Sequence, residues 1–143
     1  MIANPPFRVA LNDKIEKYFI RAGSRWPFSI VKNKSKRAEY MPFPFYLAYT
    51  AGLLEKESNI EVFVEDSIAL NKTKEEFLDK VVSIMPDILL FETSTNSAIY
   101  DMDLCRRIKE ICPKVKICLA GFHVTSSPQE TFDISRGNVD FIF

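Results

Sequence analysis

From residue 44 to its end the sequence alternates helix-forming and strand-forming stretches, and this alternation constrains the fold more than any single motif. Pro44 to Glu57 (PFYLAYTAGLLEKE) reads as a helix with little polar surface until its charged end. Ile60 to Glu65 is short and rich in β-branched residues, a strand ending at Asp66. Thr73 opens a helix through a capping box, its hydroxyl accepting from a free N–H while Glu76 reaches back. Phe77, Val81 and Ile84 recur at helical spacing, with Leu78, Val82 and Met85 beside them, and Pro86-Asp87 ends the helix. Ile88 to Phe91 is a continuous apolar run that suits a strand buried on both faces. A polar loop, Glu92 to Asn96, precedes a helix over Asp101–Cys112 with Leu104, Cys105, Ile108, Ile111 and Cys112 inward. Pro113 stops it, and Val115 to Leu119 is the next buried strand, followed by the loop Ala120-Gly121-Phe122-His123. Ser127-Pro128-Gln129-Glu130 has the form of a second capping box with proline at the first helical position, and Val139 to Phe143 is the last strand.

Strands alternating with helices imply parallel, right-handed crossovers that place helices on both faces of a sheet. The expected fold is α/β, a Rossmann-like (flavodoxin-like) three-layer sandwich on a five-stranded parallel sheet of order 2-1-3-4-5. Its weak point is the first strand: only Met1-Ile2-Ala3 precedes Asn4-Pro5-Pro6, where a strand usually runs about five residues. Residues 7–43 form an insertion too long for an ordinary βα loop, in which Asn12 to Ala22 reads as a short helix ended by Gly23. Residues 1–143 are expected to form one domain, long enough to bury a core.

Lysine plus arginine equal aspartate plus glutamate at 19 each, so net charge names no partner. The distribution is uneven: residues 8–39 carry nine basic side chains against three acidic ones, a surplus of six that the remainder balances. Such a block can meet a polyanion, but a solvated surface or a docking face for a sister domain is its more ordinary use. Nucleic acid is therefore not the expected partner. No apolar run approaches the roughly 20 residues of a membrane span, and the first residues lack the flank and apolar stretch of a signal peptide. A cytoplasmic location is expected. Cys105, Cys112 and Cys118 follow no metal-ligand spacing, and an odd number in a reducing compartment argues against disulfides. Cys105 and Cys112, seven apart on one helical face, suit core packing.

In such a sheet a ligand sits beyond the carboxyl ends of the strands, at the switch point of strand order. Those ends read Asn4-Pro5-Pro6, Asp66-Ser67, Glu92-Thr93-Ser94-Thr95-Asn96, and Ala120-Gly121-Phe122-His123-Val124-Thr125. Prolines stiffen the first, hydroxyls crowd the third, and Gly121 would let a bulky planar group approach the backbone at the fourth. Together they describe a neutral, hydroxyl-lined cleft with no catalytic triad and no metal cage. His123, the only histidine, stands at its rim; Asp66 and Glu92 lie at different strand ends, so no protein-only metal site is expected.

At these loops the chain resembles the N-terminal cobalamin-binding domain of cobalamin-dependent radical S-adenosylmethionine enzymes. The matching stretches are NPP, PFPFYLAYTAGLLEKESNIEVFVED, PDILLFETST, IKEICP and KICLAGFHVTSSPQET leading to VDFIF, in that order. The resemblance implies a cobalamin whose nucleotide tail enters the carboxyl-end cleft. Thr93, Ser94 and Thr95 would contact the tail, the Ala120-Gly121 turn would make room for it, and Asn4, Pro6, Asp66, Phe122 and His123 would complete the lining. It also implies a C-terminal catalytic domain, absent from this chain, holding an iron–sulfur cluster and S-adenosylmethionine; the reaction it implies is methyl transfer, the commoner case, or a cyclisation or rearrangement. Three features depart from, or qualify, that pattern: Ala120 replaces the first of two usual glycines, no Asp-x-His-x-x-Gly cobalt-ligating motif is present, and no Cys-x-x-x-Cys-x-x-Cys motif is present. The chain alone would thus carry no catalytic residue and no metal ligand.

Other uses of the fold meet specific obstacles. A receiver domain needs an acidic pair at the first strand end and an aspartate at the third, where this chain has Asn4-Pro5 and Glu92. A flavodoxin-like flavin-binding domain needs its hydroxyl-rich loop after the first strand, where two prolines stand. A cofactor-free docking or structural domain conflicts with no residue.

Overall fold

The computed structural model describes residues 1–6, 8–11, 15–18, 43–57 and 59–143. The elements in chain order are β1 (Ile2–Asn4), β2 (Arg8–Leu11), β3 (Ile15–Tyr18), α1 (Phe45–Leu54), β4 (Val64–Asp66), α2 (Lys74–Ile84), β5 (Ile88–Glu92), α3 (Ala98–Ile111), β6 (Lys116–Ala120), α4 (Phe122–Ser126), α5 (Pro128–Ser135) and β7 (Phe141–Ile142). Five strands form one sheet in the order β4-β1-β5-β6-β7, and every neighbouring pair is parallel. Counting that sheet's strands along the chain, this is the order 2-1-3-4-5, flanked by helices on both faces as expected.

The period of two sorts the side chains. Ala3, Leu89, Phe91, Ile117 and Leu119 share a core with Phe77, Leu78 and Val81 of α2 and with Met102, Leu104, Cys105 and Ile108 of α3. Phe77 and Phe91 are fully buried there, each worth roughly 2–3 kcal/mol. Ile2 and Leu90 face the other way, onto Leu47 and Ala51 of α1. That second cluster is small, and α1 leaves Tyr46, Tyr49 and Leu53 exposed.

Local signals explain most boundaries. The capping box at α2 is present: the Glu76 N–H donates to Thr73 Oγ1 at 3.1 Å and the Thr73 N–H to Glu76 Oε2 at 2.7 Å. Pro128 occupies the first turn of α5, but Ser127 makes no side-chain cap, because α4 runs directly into α5 and the Ser127 N–H donates to the His123 carbonyl. The strand expected over Ile60–Glu65 shrinks to Val64–Asp66, since its partner β1 offers only three residues for pairing. Ile88 is exposed at the start of β5, and Ile111 is exposed on the last turn of α3, where Cys112 takes the inward place.

The insertion differs most from expectation. In place of a helix over Asn12–Ala22, Ile15–Tyr18 is a strand paired antiparallel with Arg8–Leu11, in register Leu11↔Ile15 to Arg8↔Tyr18. Only three residues separate the two strands, so a hairpin satisfies both backbones locally, whereas an isolated helix that short is marginal in water. The rest of the expected helix, residues 12–14 and 19–22, lies outside the described residues, as does Gly23. Among the described residues no helix is long and apolar enough to cross a membrane.

Candidate functional site

Strand order reverses between β1 and β5, so the ligand position dictated by topology lies above Asn4 and Glu92. The β1 and β4 ends are tied to each other. Buried Asn4 donates through Nδ2 to Asp66 Oδ1 at 2.9 Å, and the Ala69 N–H donates to the same oxygen at 3.1 Å. Glu65, also buried, is paired with Lys72 at 2.5 Å and accepts from the Ser67 hydroxyl. Pro5 is buried and Pro6 half-buried beside them. Asn4 and Asp66 thus brace two strand ends, and Ser67 completes the brace with Glu65 and Lys72, which sequence reading passed over.

The loop after β5 is tied inward as well. The Thr93 hydroxyl donates to the Asp101 carboxylate, and Ser97 Oγ donates to Asp101 Oδ2 at 2.7 Å. The Ser94 N–H donates to Ser97 Oγ at 3.0 Å, and Thr93, Ser94, Ser97 and Asp101 are all buried. Of the three hydroxyl residues expected to reach a ligand, only Thr95 is exposed, next to exposed Asn96. Ser97 and Asp101 were not foreseen. Their signal was the spacing of four from Thr93 to Ser97 to Asp101, which places an N-cap hydroxyl and a first-turn carboxylate on one side of a helix.

Gly121 closes the neighbouring turn. Its φ of +111° favours glycine, and a Cβ there would lie 2.6 Å from the Thr93 carbonyl oxygen. The Thr93 N–H also donates to the Ala120 carbonyl at 2.8 Å. The space left by the missing side chain is therefore filled by the Thr93 backbone, not held open for a tail. Two strand ends can approach this closely only because residue 121 has no Cβ.

Beyond the turn the surface is apolar. Phe122 is 79% exposed at the start of α4, and Ile99 is 79% exposed in the first turn of α3. Tyr100 and, after β4, Leu70 are exposed too. Half-buried His123 follows Phe122 within α4, in helix where a loop was expected. Among the described residues no group of three or more His, Cys, Asp or Glu is placed to hold a metal ion. Burial pushes the thiol pKa values of Cys112 and Cys118 up, which disfavours the thiolate.

The edge therefore joins a rigid, internally satisfied floor to an open rim of apolar side chains with Thr95 and Asn96 between them. That combination can seat a large amphipathic molecule, and the Thr93 and Ser97 hydroxyls that donate to Asp101 are buried beneath it. No family model matches the chain, and no curated protein or solved structure is detectably similar to it.

Proposed function

We propose that this domain binds cobalamin across the carboxyl edge, as the N-terminal domain of a cytoplasmic radical S-adenosylmethionine enzyme that transfers a methyl group. The observation that carries the reading is the open rim after β5 and β6, on the carboxyl edge that also holds the switch point, where Ile99, Tyr100 and Phe122 are exposed as are Thr95 and Asn96. Its residue types suit a ligand that is part apolar ring and part amide-bearing chain. Cobalamin, when bound, would supply a methyl group carried on cobalt. Thr95 and Asn96 would hold its polar groups, and Phe122, Ile99 and Tyr100 would exclude water. His123, Pro6 and Ala120 would stand at the margin. The tail does not run through Gly121 itself, and Thr93 and Ser94 act by shaping the loop. The iron–sulfur cluster and S-adenosylmethionine belong to a catalytic domain outside this chain, which is also the proposed partner.

Hydroxocobalamin titration followed by gel filtration tests the reading. A red protein peak with stoichiometric corrinoid supports it; a yellow protein with flavin would favour the flavodoxin-like alternative. A colourless protein after both ligands would leave the cofactor-free docking domain, a reading that the inward-turned hydroxyls of Thr93 and Ser94 favour.

A further inference from the structure

The β5–α3 loop is organised from beneath. Thr93 and Ser97 both donate to Asp101, which is 1% exposed, and Ser97 both accepts the Ser94 N–H and donates its own N–H to the Ser94 carbonyl at 3.0 Å. A carboxylate this deeply buried is tolerated only while hydrogen bonds compensate its lost hydration. Keeping those bonds fixes the path of residues 93–97. Two residues are left out of the network: Thr95 and Asn96 are exposed, and no hydrogen bond to a described residue holds their side chains. We infer that Asp101 is the positioning residue of the site and that Thr95 and Asn96 are its specificity-determining contacts. They offer a hydroxyl and an amide to the polar amide or phosphate groups of the bound molecule. This rests on the cobalamin reading for the ligand, but Asp101's control of the loop stands on geometry alone.

Hydrogen exchange on the full chain without ligand, paired with hydroxocobalamin titration, tests both halves. In Asp101→Asn the Ser94 and Ser97 amides should exchange about tenfold faster or more, while Leu90 and Leu119 in the sheet stay protected. Cobalamin affinity should fall by about tenfold, the effect of losing a hydrogen bond to a charged group. Thr93→Val, which keeps the carboxylate and removes one donor, should reproduce both changes in smaller measure if Asp101→Asn does not fold. Thr95→Ala with Asn96→Ala should lower affinity alike with loop exchange unchanged. Asp140→Asn, destabilising at the opposite edge of the sheet, should leave affinity as in the wild type. Unchanged loop exchange in folded Asp101→Asn or Thr93→Val overturns the role of Asp101. Unchanged affinity in the Thr95→Ala/Asn96→Ala variant overturns the contact assignment. A wild-type chain that binds no cobalamin overturns the functional reading and the contact assignment with it, while the exchange measurement still decides Asp101.

Discussion

The two edges of the sheet are locked by opposite chemistry. At the amino edge Asp140 accepts from Lys109 at 2.6 Å, Lys116 at 2.9 Å and the Ile117 N–H at 2.8 Å, while Lys109 also donates to the Val115 carbonyl. Two cations there share one carboxylate and join α3, β6 and the residue before β7. At the carboxyl edge, around β5 and β6, the lock is one carboxylate beneath neutral hydroxyls, plus the contact of Gly121 with Thr93. Exposed apolar side chains do not separate the edges, since Met85 and Ile88 are exposed near the amino one. The separation comes from topology: strand order reverses only between β1 and β5, and its crevice opens at the carboxyl edge. The ionic lock is partly open to solvent, whereas the Asp101 carboxylate is buried beneath hydroxyls, so the surface over that loop presents Thr95, Asn96, Ile99 and Tyr100 and suits an amphipathic ligand.

The largest effect should come from the lock at the carboxyl edge. Gly121→Ala sets a Cβ against the Thr93 carbonyl and forces an unfavourable φ, so it should cost about 3 kcal/mol, read as a lowered urea midpoint. Bulkier replacements, Gly121→Trp among them, should fail to fold and so report on the turn, not on the ligand. A loss below about 1 kcal/mol would show that the two loops separate easily and that the edge is not preformed.

How much of this was legible varies with the range of the forces involved. Alternation of apolar runs such as Ile88–Phe91 and Val115–Leu119 with helices placed the sheet and its order, because each run is set by its own local sequence. Thr73 and Glu76 announced the start of α2 because a capping box is local. The hairpin over Arg8–Leu11 and Ile15–Tyr18 was not legible, since a stretch of mixed charge and apolar residues suits a helix equally well until its neighbour pairs with it. Ser127 misled for a related reason: a capping pattern presumes a free helix start, and α4 occupies that space. At the site, Gly121 was marked as special, but its partner Thr93 sits on another strand end and emerges only once β5 and β6 are adjacent.

The ionic lock should be worth less, and pH should release it. Burial alone would raise the Asp140 pKa, but the hydrogen bonds from Lys109, the Ile117 N–H and Lys116 outweigh it and hold the group at about 2. A depressed folded-state value contributes stability that is complete above the unfolded value near 3.8 and lost as pH falls toward about 2. Asp140→Asn should therefore cost about 1.5 kcal/mol at neutral pH after allowance for solvent screening. Urea midpoints of wild type and variant should converge between pH 4 and pH 2. Parallel curves across that range would mean that the Lys109–Asp140–Lys116 bonds contribute nothing selective to the folded state.

Phe122 separates stability from binding at the carboxyl edge. Because it is 79% exposed, Phe122→Ser should change stability by less than about 0.5 kcal/mol. If the rim covers a corrinoid ring, the same change should weaken hydroxocobalamin binding by about tenfold, some 1.4 kcal/mol of lost apolar contact. Equal affinity would move the ligand away from α4.

The smallest effect is expected at His123. It follows Phe122 inside α4, at the end of the fourth strand of the sheet, whereas a lower cobalt ligand in the histidine-ligated families comes from the loop after the first strand. That loop begins Pro5-Pro6 and contains no histidine. His123→Gln keeps a hydrogen-bonding group and removes most ligating capacity. The variant should therefore leave the visible spectrum of bound cobalamin unchanged at neutral pH. Affinity should fall by no more than about 1 kcal/mol, the net worth of one hydrogen bond. Electron paramagnetic resonance of the bound cob(II)alamin decides the point. A nitrogen superhyperfine splitting present in the wild type and lost in His123→Gln would make His123 the lower ligand. It would then be the rim beside α4, and not the crevice between β1 and β5, that places the metal.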